Sequence, residues 1–531
     1  VAPGLTGAAT AAEPASPVGL RQDPVRLLLL VGSLALLLLV GLSRPNAAQP
    51  DLAPRGWAPG ALVPLTLTPA VVTGVLWAGY LLGAAAVWRG LRTTPAGLRS
   101  WAWPAVLAVL ALLTAPFGSA DHVNYLAYGR ILDQGGDPWL ASPGTWAGGL
   151  DPVTSRVEAP WTEEPSIYGP FATLLHGLSA AVGGPNLRQG VWVWQVLVVL
   201  AWLGVRAVLR RGLPRASHGR VDVLWTLNPL VLGVGVLGAH VDVVATVLAV
   251  AAAVLAGRAC GVGADTGSRA GALLLAAFGA GALAGLALAT KVTYGVVLAG
   301  VLAAWWLAVR HSPDRRRPRW PDVASLAAGV LAVAVPLHVW AGPHVYDQLR
   351  RSRQAVSLAT PWRLVLDALG PLLGSGPTRT LIGLGAAVVA VVLGVLLLRL
   401  SRPAPGAVPA APPVAVALWV TACLSLAYSL AAPYSLPWYD VLAWGCLPAL
   451  VPGVVDLVAL GRMLVMACAY VPGRVLGMTP TVETVTLGFR RYVAPWLGVV
   501  LWAVVIRAGG RRGSPPSPAT RPAGGTAPPT R

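Results

Sequence analysis

The sequence predicts an all-α polytopic membrane protein. Of its 531 residues, 56% are hydrophobic and only 11% are charged, with a mean hydropathy of +0.67. Apolar runs of the length that crosses a bilayer, about 20 residues each, recur along nearly the whole chain. The basic residues supply the third observation, because they fall in short loops between those runs. Such placement is a topology signal, so the net charge of +19 does not imply a nucleic-acid partner.

Taken in order, residues 1–24 are small, Pro-rich and without period, and are expected to be disordered. The run RLLLLVGSLALLLLVGL reads as a first span rather than the core of a cleavable signal. Further spans are expected near 70–88, 101–117, 189–209, 222–238, 241–257, 270–288, 294–309, 322–341, 379–400, 414–432, 438–456 and 493–507, with a weaker one over 463–479. That makes about 12 to 14 spans in one membrane domain, residues 25–508. A Pro-, Gly- and Arg-rich tail, 509–531, follows. Cys260, Cys423, Cys446 and Cys468 lie in or beside apolar runs without metal-ligand spacing and read as small core residues.

Charge orients the chain. Loops 89–100, 210–221, 258–269, 310–321 and 399–413 carry many Arg and almost no acid, which makes them cytoplasmic and places both termini on that side. The opposite, extracytoplasmic side then holds the loop around Asp121, the turn Gly-Ala-His240-Val-Asp242, Lys291, segment 342–378 and PYSLPWYD. Every polar cluster suited to chemistry falls on one face. The large first outer loop, 118–187, holds seven of the 20 acids, and its stretch HVNYLAYGRIL has helical period, suiting a helix laid on the membrane surface with Val123, Leu126 and Ile131 on its apolar side.

Each cluster admits a structural and a functional reading. Asp121 suits an N-cap of the helix beginning at His122, and also a carboxylate that takes a proton from a sugar hydroxyl. His240 and Asp242 suit a polar pair at helix ends beyond the break Asn228-Pro229, a phosphate or sugar contact, or two ligands of a metal. Lys291 is the one lysine among 39 basic residues; it suits a snorkelling side chain or a point charge for phosphate. Arg350, Arg351, Arg353 and Arg363 stand on the predicted outer side against the topology rule, suiting surface lipid or an anionic headgroup. Tyr434, Trp438 and Tyr439 suit an aromatic belt or a stacking surface for a sugar or prenyl chain.

The stretches DHVNYLAYGRILDQGGDPW, SIYGPFATLLH, LNPLVLGVGVLGAHVDV, GLALATKVTYG and PYSLPWYDVLAW, in this order over about residues 100 to 450, resemble the actinobacterial polyprenyl-phosphate-mannose-dependent alpha-1,6-mannosyltransferases of the MptA/MptB type in the GT-C superfamily. They are also similar to glycosyltransferase family 87. Relatives often read His-Asn-Asp and GDPY where this chain has His240-Val241-Asp242 and Gly136-Asp137-Pro138-Trp139. The resemblance implies a GT-C fold whose first outer loop forms part of a cavity. It also implies a polyprenyl-phosphate-linked mannose donor, a glycan or glycolipid acceptor in the cell envelope, and inverting transfer at the outer face of the plasma membrane. Asp121 would be the general base. Lys291, Arg350, Arg351 and His240 would meet the donor phosphate, and His122, Tyr125, Asp137, Tyr168, Asp242, Trp438 and Tyr439 the substrates. No metal or cofactor is implied, and no P-loop or Rossmann glycine pattern is present. The alternative is a transporter or flippase of lipid-linked sugars, which calls for ionisable residues near the midplane and inverted repeats. A GT-C transferase using another polyprenol-linked sugar is the second alternative.

Overall fold

The computed structural model describes residues 20–511 apart from 53, 94–95, 260–267, 312–318, 353, 402–412 and 475, and the regular structure among these is entirely helical. Cys260, Arg353 and most of both terminal segments lie outside the described residues. The helices are α1 (Pro24–Leu42), α2 (Pro69–Arg92), α3 (Ala102–Leu113), α4 (Asp121–Asp133), α5 (Pro170–Gly183), α6 (Leu187–Gly212), α7 (His218–Val221), α8 (Val241–Ala259), α9 (Ser268–Thr290) and α10 (Val296–His311). They continue with α11 (Trp320–Ala341), α12 (Asp347–Ser352), α13 (Trp362–Leu373), α14 (Ser375–Leu400), α15 (Pro413–Ala431), α16 (Val441–Cys446), α17 (Val454–Ala469), α18 (Pro480–Gly488) and α19 (Ala494–Arg511).

Among the described residues, nine helices are long and apolar enough to cross a membrane, or ten if the bent pair Arg215–Thr226 and Val231–Leu237 counts as one span. Ala102–Leu113 and Val292–Leu307 are shorter apolar helices. The chain is an all-α multi-pass membrane protein with fewer full-length spans than its apolar runs suggest. Proline accounts for two of the differences. The run 438–456 is divided into Pro437–Asp440, α16 and Leu447–Ala449 around Pro448. The weaker run 463–479 is cut where α17 ends at Ala469, just before Val471-Pro472-Gly473.

Local chemistry sets the first helices. Asp23 caps α1 by accepting from the Arg26 amide at 3.1 Å, Thr68 caps α2 by accepting from Val71, and Pro24 and Pro69 open the first turns. Burial separates the centre of the bundle from its lipid face. The apolar windows of α8 and α15 are 72% buried, whereas that of α14 is 28% buried and leaves Leu381, Leu384, Val388 and Val391 exposed.

Two features position the site. The first is the break at Asn228-Pro229, where the paired segments bend by 62°. Asn228 spans the break, donating to the Leu224 carbonyl at 3.0 Å and accepting from the Leu230 amide at 3.0 Å. On α6, Trp194 donates to the Ala239 carbonyl at 2.7 Å and Gln195 to the Val236 carbonyl at 3.0 Å, fixing the returning turn. Ala239 takes the left-handed conformation, φ +54°, which delivers His240 to the head of α8.

The second is α4. It does not lie on a surface with one face open: nine of its 13 residues, including every one from His122 to Gly129, are buried. Contact between α4 and α5 is backbone-close, and a Cβ at Gly129 would stand 2.2 Å from the His176 carbonyl oxygen. The intervening stretch from Trp146 to Glu163 carries three short 3-10 turns, so the connection between α4 and α5 has local structure of its own.

Candidate active site

Asp121 is the first residue of α4, and the N-cap position belongs to Ala120, with no side-chain capping bond. The capping expectation therefore fails, and the carboxylate is left for other partners. Ser119 supports the turn by accepting from the Asp121 amide at 3.3 Å. Asp121 Oδ2 lies 3.6 Å from His240 Nδ1, with the Asp121 side chain 17% exposed and that of His240 1%. Burial pushes the Asp121 carboxyl up from its ordinary 3.8 to about 7; Lys291 opposes this rise and Asp242 adds to it.

His240 is held on three sides. Its Nε2 faces the Ser119 hydroxyl at 3.3 Å, its Nδ1 faces the Tyr125 hydroxyl at 3.4 Å, and its ring stacks on Trp438 at 3.6 Å between centroids. Burial, with His122 and Lys291 adding smaller effects, lowers its pKa well below the usual value, so the ring is neutral. A neutral ring carries one proton, on Nδ1 or Nε2, and Asp121 Oδ2 at 3.6 Å is in close contact with Nδ1 but beyond hydrogen-bond distance, the hydrogen-bonding neighbour there being the Tyr125 hydroxyl.

Beside this pair lies a second polar group. Lys291 Nζ donates to Asp242 Oδ1 at 2.8 Å and sits 3.9 Å above the Tyr439 ring. The Tyr294 hydroxyl donates to the same oxygen at 3.1 Å, while Asp242 Oδ2 is buried with no hydrogen-bond partner. This pair lines a cavity of about 140 Å³ with Tyr294, Tyr428, Tyr439, Ser425 and Thr293. A smaller cavity of about 20 Å³ lies where His240, Trp438, Tyr470 and Gly118 meet. Among the described residues, no group of three or more His, Cys, Asp or Glu side chains is arranged to hold a metal.

The aromatic segment is anchored from beneath. Arg462 Nη1 donates to Asp440 Oδ2 at 3.0 Å, and its other nitrogens reach the Ser429 carbonyl and the Ser435 hydroxyl. This buried ion pair fixes the turn that presents Trp438 and Tyr439.

The sequence-derived candidates therefore divide. Asp121, Tyr125, His240, Asp242, Lys291, Trp438 and Tyr439 meet in one region, drawn from four distant stretches. Tyr168 belongs to the wall behind it, edge-on to Tyr125 at 4.9 Å, with His176 stacked on Tyr125 at 4.8 Å. Asp137 is committed to a turn, accepting from the Trp139 amide at 2.8 Å. His122 is fully buried with neither ring nitrogen hydrogen-bonded. Arg350 and Arg351 fall on α12, but their side chains lie outside the described residues. Arg363 pairs with Asp367 at 2.6 Å. Ser119, Tyr294 and Tyr428 were not singled out. Tyr294 stands within the motif around Lys291, whereas nothing local marks Tyr428 as facing a cavity.

Residues 29–310 match the sequence profile of the family described as alpha-(1->6)-mannopyranosyltransferase, N-terminal domain. The chain is similar to alpha-(1->6)-mannopyranosyltransferase A of Mycobacterium tuberculosis, with 29% identity over 237 residues, 43% of this chain and 40% of that protein. It is likewise similar to alpha-(1->6)-mannopyranosyltransferase B of Corynebacterium glutamicum, with 29% identity over 125 residues, 23% of this chain and 20% of that protein. The matched stretches thus span less than half the length of either relative. No solved structure matches the chain. With more than half of its 531 residues matched to the family profile, the chain belongs to the MptA/MptB family.

Proposed function

We propose that the protein transfers mannose from a polyprenyl-phosphate donor to a cell-envelope glycan or glycolipid, forming an alpha-1,6 linkage at the extracytoplasmic face of the plasma membrane. The observation that carries this reading is the Asp121 carboxylate. It is free of a capping role, partly open, 3.6 Å from a neutral imidazole, and has a pKa of about 7. A carboxylate so tuned is half ionised near neutral pH, as a general base should be. The family membership supplies the sugar and the class of reaction.

In this reading Asp121 accepts the proton of the acceptor hydroxyl as that oxygen attacks the anomeric carbon. The bond from that carbon to the phosphate oxygen breaks, and the polyprenyl phosphate departs with the electron pair. A single displacement on a beta-linked donor gives an alpha-mannoside. His240 packs beside Asp121, with Nδ1 3.6 Å from Oδ2, and Trp438 holds the His240 ring in that place. The aromatic cavity beside Asp242 and Lys291 has room for one sugar ring, and the unpartnered Asp242 Oδ2 is an acceptor for a sugar hydroxyl. Lys291 spends one of its three donors on Asp242 and retains two for a phosphate oxygen. Lys and Arg charge of this kind stabilises the departing phosphate without a general acid.

Membranes containing the protein, given radiolabelled mannosyl phosphoryl polyprenol and a short alpha-mannoside, should yield an acceptor longer by one alpha-1,6-linked mannose. Transfer from a different polyprenol-linked sugar alone would overturn the mannose assignment. Movement of intact donor across sealed vesicles without transfer would establish the transporter instead.

A further inference from the structure

The last long helical stretch carries a charge that the site above does not use. Residues Pro480–Gly510 form a helical stretch of 31 residues, about 46 Å at 1.5 Å per residue, against a hydrocarbon thickness of about 30 Å. Thr479 caps it, its first turns hold Glu483 and Thr484, and its uninterrupted apolar run begins only at Tyr492-Val493. Arg490 therefore stands at the edge of the apolar layer, where lipid phosphates lie.

Local structure turns Arg490 inward. Phe489–Val493 forms a π-helical turn between α18 and α19, an irregularity that recurs at functional positions. The Arg490 guanidinium lies 4.2 Å above the Tyr470 ring, and its Nε donates to the Ala469 carbonyl at 2.6 Å. Among the described residues no carboxylate pairs with it. The nearby Asp367 is taken by Arg363 at 2.6 Å and faces Arg491 at 3.6 Å. Both terminal nitrogens of Arg490 remain without a hydrogen-bond partner among the described residues, a free fork of the kind that grips a phosphate.

Position ties this charge to the candidate active site. Tyr470, on which Arg490 lies, is 6.3 Å from Trp438 between ring centroids, and Trp438 stacks on His240. Tyr470, Trp438 and His240 line the same small cavity. On the membrane side of Arg490, Val493, Trp496 and Val500 are exposed by 43%, 59% and 55%, a track suited to an isoprenoid chain.

We propose that Arg490 binds the phosphate of a lipid-borne phosphate ester, namely the polyprenyl phosphate group of the donor, with the chain running over Val493, Trp496 and Val500. The proposal rests on the transferase reading for the identity of that lipid; a membrane phospholipid headgroup shares the chemistry.

The test uses the full-length protein in phosphatidylcholine nanodiscs, with and without phosphatidylglycerol. Binding of sugar-free polyprenyl phosphate, KM for the mannosyl donor, KM for the acceptor and melting temperature are measured for wild type, Arg490→Gln and Arg490→Lys. Arg507→Gln, an exposed arginine at the far end of the same stretch, controls for loss of charge. Losing a charge-assisted hydrogen bond should weaken polyprenyl phosphate binding and raise donor KM by about ten- to hundred-fold. Acceptor KM and melting temperature should hold, and Arg490→Lys should restore part of the binding. If polyprenyl phosphate binding is unchanged but phosphatidylglycerol no longer stabilises Arg490→Gln, the site takes a membrane phospholipid. No change in either readout overturns the proposal. Wild-type protein that binds polyprenyl phosphate but transfers no sugar defeats the transferase reading while leaving Arg490 as a lipid phosphate site.

Discussion

Removing Lys291 while leaving Asp242 in place should be among the more costly single changes near the site. In the folded protein the Asp242 side chain is 1% exposed, with Lys291 Nζ and the Tyr294 hydroxyl on Oδ1 and nothing on Oδ2. Lys291→Met strands a buried carboxylate that retains one hydroxyl. Breaking a buried pair in this way costs about 3–5 kcal/mol. Lys291 is 17% exposed and Tyr294 remains, so the lower end, about 3 kcal/mol, is expected. Asp242→Asn keeps the Tyr294 contact region and frees Lys291 toward the cavity, so it should cost only about 1 kcal/mol. In the double variant no charge is stranded, and a coupling of about 2 kcal/mol should emerge. The assay is reversible denaturation of the purified protein in mixed micelles, with the four proteins compared as a double-mutant cycle. Additive losses, with coupling under about 0.5 kcal/mol, would refute the ion pair as a structural unit.

The Asp121 titration gives two further expectations. If Asp121 is the base, kcat/KM should rise with pH up to an apparent pKa near 7 and level off, so transfer falls on acidification below that value. Stability should run the other way. A carboxyl raised from 3.8 to about 7 binds its proton more tightly in the folded state, so folding stability declines as pH rises between those values; Asp121→Asn removes that slope from a melting-temperature series. Trp438→Ala removes the ring stacked on His240 and should reduce kcat by about ten- to hundred-fold through lost orientation, with Trp438→Phe retaining most activity. Gly129→Ala places a methyl group 2.2 Å from the His176 carbonyl oxygen and should separate α4 from α5, read as loss of folded protein on size-exclusion chromatography.

Much of the candidate site was legible because membrane topology sorts polar residues by side. Asp121, His240, Asp242, Lys291, Trp438 and Tyr439 stand on apolar runs whose charged ends point the other way, and a shared side brought them within reach of one another. What periodicity could not reveal was depth. The pattern of HVNYLAYGRIL shows one apolar side, yet α4 is buried nearly all round because Gly129 lets it press onto α5. A small residue reads as neutral in a hydropathy pattern, although it decides how closely two helices approach. The Asp121 cap failed for a different reason: a helix start shifted by one residue takes the side chain out of capping reach. Among the described residues the apolar runs outnumber the full-length helices because an apolar run records composition, while proline at 229, 437, 448 and 472 breaks the backbone within or beside it. Arg490 was missed because it reads as one more arginine at the end of a span. Its meaning comes from a π-helical turn and a tyrosine ring that only folding brings together.

The central claim is that Asp121 takes the proton in mannosyl transfer, and its most direct test is Asp121→Asn at matched expression. Donor binding and sugar transfer are measured on the same preparation. Asparagine keeps the size and the approach to His240 but cannot accept the proton, so transfer should fall by about 10²–10⁴-fold with donor binding within a few-fold of wild type. Equal transfer by the two proteins would contradict the account, and the base would then have to be sought at Asp242, whose second carboxylate oxygen is also free.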